Sequence, residues 1–243
     1  MYLCIDAGNT RTKVSVFNDD GTIAESHILP INEIDAILEV TKRYPINHVI
    51  VSTTGPRDWE IKTLNITGKN IELSHDTRLP IQIVYSTPDT LGRDRIAAAC
   101  GAASLFSGQN CLVIDAGTCV TMDVILKTGV YIGGNIAPGL KMRLSAMHEY
   151  TAKLPLVEPG WPVLPFGDST LHALQNGAGL GIIMEIEGLL HRAKDAFGEL
   201  SIVMTGGDAV FLAERLESQI FVTPELVAQG LFQILHFNVK ISY

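Results

Sequence analysis

Short apolar runs of strand length, followed by stretches with helical periodicity, occur twice along this chain. The first third predicts three successive strands, Tyr2–Asp6, Lys13–Asn18 and Thr22–Leu29. The second and third are joined by Asp19-Asp20-Gly21, a strong hairpin signal. A helix is predicted over Asn32–Arg43, with Ile34, Ile37 and Leu38 on one face and Asn32 as its N-cap. Val49–Thr53 and Ile81–Tyr85 have the length and composition of short buried strands, with a helix between them near Arg57–Leu64. An alanine-rich helix then starts with the charged cluster Arg93-Asp94-Arg95, its small residues permitting close packing. The programme repeats from Cys111: strands Cys111–Asp115, Val120–Leu126 and Tyr131–Ala137. Helices follow at Lys141–Thr151, Thr170–Lys194, Ala209–Leu216 and Glu225–Phe237, with a strand at Ser201–Thr205. The break at Ser107-Gly108-Gln109-Asn110 predicts a domain boundary, giving units 1–109 and 110–243 of an α/β protein that pack directly with a cleft between them.

Composition narrows the function class. The 243 residues are enough for one large or two small domains with a real core. Hydrophobic residues make up 47% of the chain, which excludes a disordered one. A net charge of −8, with no basic block, argues against general nucleic-acid binding but not against a nucleotide held by local loops. No apolar stretch approaches a membrane span, and the first residues enter a strand directly, so a cytoplasmic protein without a membrane partner is expected. Cys4, Cys100, Cys111 and Cys119 form no C-x-x-C pair, and Cys4 and Cys111 on their strands read as buried thiols. His148-Glu149 lacks the H-E-x-x-H spacing, since residue 152 is Ala, and reads as helix surface. Gly177-Ala178-Gly179-Leu180-Gly181 reads as a helix-packing site rather than a ligand loop.

The chemistry sits in a repeated turn. Asp6-Ala7-Gly8-Asn9-Thr10-Arg11-Thr12-Lys13 recurs in outline as Asp115-Ala116-Gly117-Thr118-Cys119-Val120-Thr121, each copy between two strands. A tight turn with Gly and small polar residues aims backbone N–H groups at an anion. In the first copy, Asn9 and Thr10 are candidate phosphate donors and Lys13 a point charge, while Asp6 is a candidate Mg²⁺ holder acting through water, as that cation keeps much of its hydration shell. A third segment, Thr205-Gly206-Gly207-Asp208, leads from a strand into a helix, and paired glycines there permit close approach of a ligand. ATP-dependent chemistry is the expectation these turns set.

The three turns, in this order, resemble the phosphate 1, phosphate 2 and adenosine motifs of the actin, sugar-kinase and heat-shock ATPase superfamily. That resemblance implies two duplicated actin-like (ribonuclease H-like) domains, mixed sheets flanked by helices, and ATP in a cleft, with Gly206 and Gly207 toward the adenosine. A narrower resemblance is to type III pantothenate kinases. It rests on Tyr85-Ser86-Thr87-Pro88-Asp89-Thr90-Leu91-Gly92-Arg93-Asp94-Arg95, which carries that family's Gly-x-Asp-Arg signature, and on Gly133-Gly134-Asn135-Ile136-Ala137-Pro138-Gly139. Leu154-Pro155 and the segment Gly167-Asp168-Ser169-Thr170 to Gln175-Asn176-Gly177 extend it over almost the whole chain. It implies phosphorylation of pantothenate by ATP, the first step toward coenzyme A, with Asp94 as catalytic base. Tyr85, Gly92, Arg93, Asp94 and Arg95 would line the pantothenate site, and Thr170 would reach it from the partner subunit of a homodimer. Asp115 would hold a monovalent cation, K⁺ or NH₄⁺, and Thr118 would touch ATP, as would the first turn from Asp6 to Lys13. Arg93 departs from the family pattern, in which that variable position is often small or apolar. A non-enzymatic accessory protein on the same fold and a kinase for another small alcohol are the alternatives. The intact Asp6, Asp94 and second turn favour an enzyme, and the Tyr85–Arg95 segment favours pantothenate.

Overall fold

The computed structural model describes residues 1–241. Five strands build the first sheet: β1 (Tyr2–Ala7), β2 (Thr12–Phe17), β3 (Ile23–Leu29), β4 (His48–Thr53) and β5 (Asn70–Glu72), in the order β3-β2-β1-β4-β5. Asp19-Asp20-Gly21 turns β2 into antiparallel β3, with Gly21 at positive φ. β1 pairs antiparallel with β2 and parallel with β4. Because side chains alternate along a strand, this register splits the sheet into two faces. Leu3, Ile5, Val14, Val16, Val49 and Val51 line one, fully buried against Ile37 and Val40 of α1 (Ile34–Arg43) and against Trp59 and Leu64. Each such side chain contributes about 1.5–3 kcal/mol by leaving water. Tyr2, Asp6, Lys13 and Ser52 belong to the opposite face.

That opposite face is covered by helices. Phe232, on α6 (Leu226–Lys240), stacks on Phe17 at 4.8 Å and meets the Tyr2 ring edge-on at 5.3 Å. α2 (Arg93–Leu105) packs on α6 through glycine. A Cβ on Gly230 would lie 1.7 Å from the Ala97 carbonyl oxygen, and one on Gly101 would lie 2.5 Å from that of Leu226. The alanine-rich sequence of α2 is thus the device that lets two backbones approach and fixes the helix whose first turn carries Asp94.

The second sheet repeats the plan. Its strands are β6 (Gln82–Ile83), β7 (Cys111–Ala116), β8 (Cys119–Ile125), β9 (Val130–Pro138), β10 (Ser201–Thr205) and β11 (Phe221–Val222), in the order β11-β10-β7-β8-β9-β6. Without β6, the order β9-β8-β7-β10-β11 matches β3-β2-β1-β4-β5 strand for strand. β7 and β10 pair in parallel, as β1 and β4 do. The helices α3 (Leu140–Glu149), α4 (Thr170–Phe197) and α5 (Ala209–Ala213) complete this half. By compactness, residues 1–109, Val124–Gly133 and the chain from Glu225 onward form one unit, while Asn110–Asp123 and Gly134–Pro224 form the other. The units meet in sequence at Gln109–Asn110, and the two later segments Val124–Gly133 and Glu225 onward belong with the first.

Several local expectations are corrected. Asn32 does not cap α1: its φ is 64°, the helix starts after Glu33, and Asn32 Oδ1 accepts the Asp58 N–H at 3.2 Å. The helix expected near Arg57–Leu64 is a single 3-10 turn, Ile61–Leu64. The strand at Ile81–Tyr85 shortens to Gln82–Ile83, and α5 ends at Ala213. Within the glycine run of α4, only Gly179 is closely packed, against Trp161, whereas a Cβ on Gly177 would meet no atom within 4 Å. Cys4 and Cys111 are buried thiols outside any disulfide, as expected, and burial pushes Cys4 well above the usual thiol range and Cys111 up to about 11.

The packing of α2 on α6 can be tested directly. Gly230→Ala should destabilise the protein by about 1–3 kcal/mol, the usual cost of overpacking, read as a lower urea midpoint. Gly188→Ala in α4, where no atom lies within 4 Å of the added carbon, should leave the midpoint unchanged or raise it, by up to about 1 kcal/mol.

Candidate active site

The first turn is built by backbone contacts that demand glycine. Gly8 N–H donates to the Arg11 carbonyl at 3.1 Å, closing the turn and leaving Asn9, Thr10 and Arg11 exposed. Thr54 and Gly55 N–H groups, just past β4, both donate to the Ala7 carbonyl, at 3.0 and 3.1 Å. A Cβ on Gly55 would stand 2.1 Å from the Gly8 carbonyl oxygen, so the exit of β4 lies directly on the turn. Thr12, the first residue of β2, is buried and anchors the turn's far side.

One residue before the turn, Asp6 pairs in register with Lys13 on β2 and Ser52 on β4. Its carboxyl is pushed up to about 6, first by burial and then by the negative charge of Asp94, with Lys13 and the Ser52 hydroxyl opposing. Asp94, in the first turn of α2, thus lies near enough to Asp6 for its charge to act on that carboxyl. Asp94 Oδ1 accepts the Arg95 backbone N–H at 2.8 Å. A Cβ on Gly92 would lie 2.5 Å from that oxygen, which explains the glycine two residues before the aspartate.

The remaining residues of the predicted substrate segment gather in the same unit. Arg95 is 5% exposed, and its guanidinium lies 5.9 Å from the centre of the Tyr85 ring. Tyr85 leans on buried Tyr131 at 6.1 Å, and a Cβ on Gly133, at φ 117°, would lie 3.5 Å from the Tyr85 ring. Arg93, the departure from the family pattern, has a structural role: its Nε donates to the Leu73 carbonyl at 2.7 Å and ties the loop to the chain leaving β5.

The second unit holds the other predicted residues. Gly117 N–H donates to the Cys119 carbonyl at 3.0 Å, and Gly139 N–H to that of Thr118 at 3.1 Å. Gly206, at φ 100°, lies against this turn: a Cβ there would stand 2.4 Å from the Ala116 carbonyl carbon and 2.6 Å from Asp115 Oδ1. Asp208 N–H donates to the Ala116 carbonyl at 2.9 Å. The glycine pair Gly206-Gly207 and the turn Asp115–Thr118 are therefore one structure. Burial raises Asp208, against the charge of Lys141. Thr170 is exposed at the first position of α4, where Ser169 Oγ caps the helix by accepting the His172 N–H at 3.2 Å.

Ser52, Gly55 and Lys141 escaped the sequence reading. Gly55 carried a signal, since it follows a strand end, but the serine on β4 had none until the register was known. For a divalent cation, Asp6 is the fitting group: its Oδ1 is buried with no hydrogen-bond partner among the described residues. Among those residues no three His, Cys, Asp or Glu side chains converge.

Two duplicated mixed sheets, each with a turn after its central strand, define the actin-like fold of sugar kinases and ATPases. A Campylobacter jejuni protein described as a Baf family transcriptional activator superposes with TM-score 0.63 at 22% identity, covering 98% of this chain and 99% of its own. An activator of 2-hydroxyisocaproyl-CoA dehydratase from Clostridium difficile, with bound ADPNP, gives 0.57 at 13% identity, covering 99% and 96%. These likenesses carry the fold. The family model for type III pantothenate kinase matches residues 2–192. A type III pantothenate kinase of Flavobacterium johnsoniae is 36% identical over 244 residues, 98% of this chain and 99% of its own. One of Phocaeicola vulgatus is 39% identical over 247 residues, covering 99% and 100%. The chain belongs to the type III pantothenate kinase family and is a kinase.

The strained position of Asp6 has a consequence for stability. Its folded pKa, about 6, lies above the unfolded value near 3.8, so the ionised carboxylate costs stability above pH 6, and the cost fades as pH falls toward 4. Asp6→Asn should therefore stabilise the ligand-free protein at pH 8 by about 1–3 kcal/mol. Urea titrations from pH 8 to 4 should show that advantage shrinking to nothing.

Proposed function

We propose that this protein transfers the γ-phosphoryl group of ATP to the primary hydroxyl of pantothenate, giving 4′-phosphopantothenate and ADP at the entry to coenzyme A synthesis. The observation that carries the reading is the pairing of Asp94 with the first phosphate turn: a carboxylate held at a helix start, within the field of Asp6. In this reading Asp94 accepts the proton of the pantothenate hydroxyl as its oxygen bonds to the γ-phosphorus and the bond to the β,γ-bridging oxygen breaks. Buried Arg95, steadied by Tyr85, offsets the pantothenate carboxylate or the transferring phosphoryl group. Asn9 and Thr10 donate to phosphate oxygens, with Lys13 as a nearby charge. Mg²⁺, when bound, supplies charge neutralisation and in-line orientation of the phosphates, and Asp6 would hold it through water. Asp115 and Thr118 form the second phosphate side, where Asp115 holds K⁺ or NH₄⁺ and Gly206-Gly207 approaches the adenosine. ATP as phosphoryl donor fits a cytoplasmic location.

The reading includes a homodimer in which Thr170 reaches the partner's pantothenate site. Its support is the apolar exposure just before and at the start of α4: Tyr150, Leu156, Val163, Leu164, Phe166 and Leu171 all face solvent, Val163 at 97%.

Asp94→Asn should lower kcat by at least about 100-fold, the range of general-base effects, while ATP and pantothenate still bind within a few-fold of wild type. Near-normal turnover would remove Asp94 as base. In a coupled ADP-release assay, pantothenate should stimulate turnover and sugars should not, with K⁺ or NH₄⁺ required and Na⁺ a poor substitute. Absence of pantothenate-dependent ADP release under all three ions would overturn the reading. Thr170→Ala should raise KM for pantothenate more than it lowers kcat, and sedimentation should find a dimer.

A further inference from the structure

Strand β4 delivers a polar side chain to the first turn that the reaction as described does not use. Ser52 is fully buried, in a strand whose preceding residues Val49, Ile50 and Val51 are fully buried and apolar. A hydroxyl in that setting costs free energy unless it is hydrogen-bonded. Ser52 pairs in parallel register with Asp6, so both side chains leave the sheet on the same face, next to each other. Ser52 Oγ and Asp6 Oδ1 are both buried; the hydroxyl is near enough to hold the carboxyl's pKa down, yet neither atom makes a hydrogen bond of good geometry among the described residues. Two adjacent orphan oxygens on one sheet face match the acceptors that a single water satisfies with its two protons, its lone pairs turned outward.

We propose that Ser52 is a positioning residue of the metal–phosphate site: Ser52 Oγ and Asp6 Oδ1 together accept the two protons of one water bound to the divalent cation. This rests on the reading that the first turn binds metal-bound ATP. Asp6 supplies the charge, and Ser52 fixes the direction, since a carboxylate alone leaves the water free to swing. Lys13, on the other side of Asp6, carries no acceptor and cannot replace Ser52. The arrangement also gives a reason for a serine to end an otherwise apolar buried run.

The test compares ADP binding with Mg²⁺ and ADP binding in EDTA by calorimetry, using wild type, Ser52→Ala and Ser52→Cys. Outer-shell partners of metal sites are worth roughly 10–100-fold in metal affinity. Ser52→Ala should therefore weaken MgADP about 10-fold or more, with metal-free ADP affinity and melting temperature near wild type. Ser52→Cys, of similar shape but a poor acceptor, should behave like the alanine variant. Mn²⁺ titration followed by electron paramagnetic resonance, with ADP present, should show the same loss without any turnover. Equal weakening of MgADP and metal-free ADP would make Ser52 structural and overturn the proposal. So would unchanged MgADP affinity in both variants while wild type binds MgADP more tightly than ADP. If wild type shows no metal preference at all, the metal reading of the first turn fails, and the role of Ser52 with it.

Discussion

Two carboxylates held within each other's field, Asp6 at the end of β1 and Asp94 at the start of α2, are the constraint around which the first unit is arranged. Like charges in a partly dry setting repel, and burial alone already raises Asp6. The fold must therefore hold the Asp6 carboxylate against its preference, and it does so through rigid backbone. β1 is clamped between β2 and β4, and the chain leaving β4 is hydrogen-bonded to the Ala7 carbonyl. α2 is locked to α6 by glycines that let carbonyls and Cα atoms touch. A phosphoryl-transfer site benefits from such an arrangement, because a bound cation and the donor phosphates change the local field where the acceptor hydroxyl must lose its proton.

The duplication is one of topology, not of chemistry. Both halves place Asp-Ala-Gly after a central strand, and both sheets share one strand order. In the first half, the strand parallel to that central one ends in Ser52-Thr53-Thr54-Gly55, which packs on the turn and adds a hydroxyl beside Asp6. In the second half, the corresponding strand β10 ends in Thr205-Gly206-Gly207, and Gly206 brings backbone rather than a side chain against Asp115. A carboxylate beside a hydroxyl and a lysine suits a hydrated divalent cation. The difference lies in what the neighbouring parallel strand supplies, so the two turns are not interchangeable.

Arg93 shows how a departure from a family pattern is absorbed. A long cation beside Asp94 would crowd that carboxylate if it pointed inward. Its guanidinium instead reaches the Leu73 carbonyl and fastens the start of α2 to the chain after β5. The neighbouring Arg95 is the buried one, and its guanidinium lies near the Tyr85 ring. Two arginines flanking one aspartate thus divide into an anchor and a candidate substrate contact.

What the chain determined by itself was local. Apolar alternation and turn residues marked the long strands and helices, because burial of one face per element leaves a period in the sequence. The repeated Asp-Ala-Gly was legible because phosphate turns need glycine at defined places, and the segment Tyr85–Arg95 was legible through its resemblance to a family. Short edges such as β5 and β11 were not, since two or three residues carry no period. Asn32 looked like a cap because its residue type favours caps, but it also favours the left-handed conformation, and a contact with Asp58 far along the chain decided between them. Only the tertiary structure set Asp94 near Asp6, Ser52 beside Asp6, and Gly206 against Ala116. Each of these juxtapositions is made by strand register or helix packing between residues distant in sequence, and such pairings leave no trace in the residues considered one segment at a time.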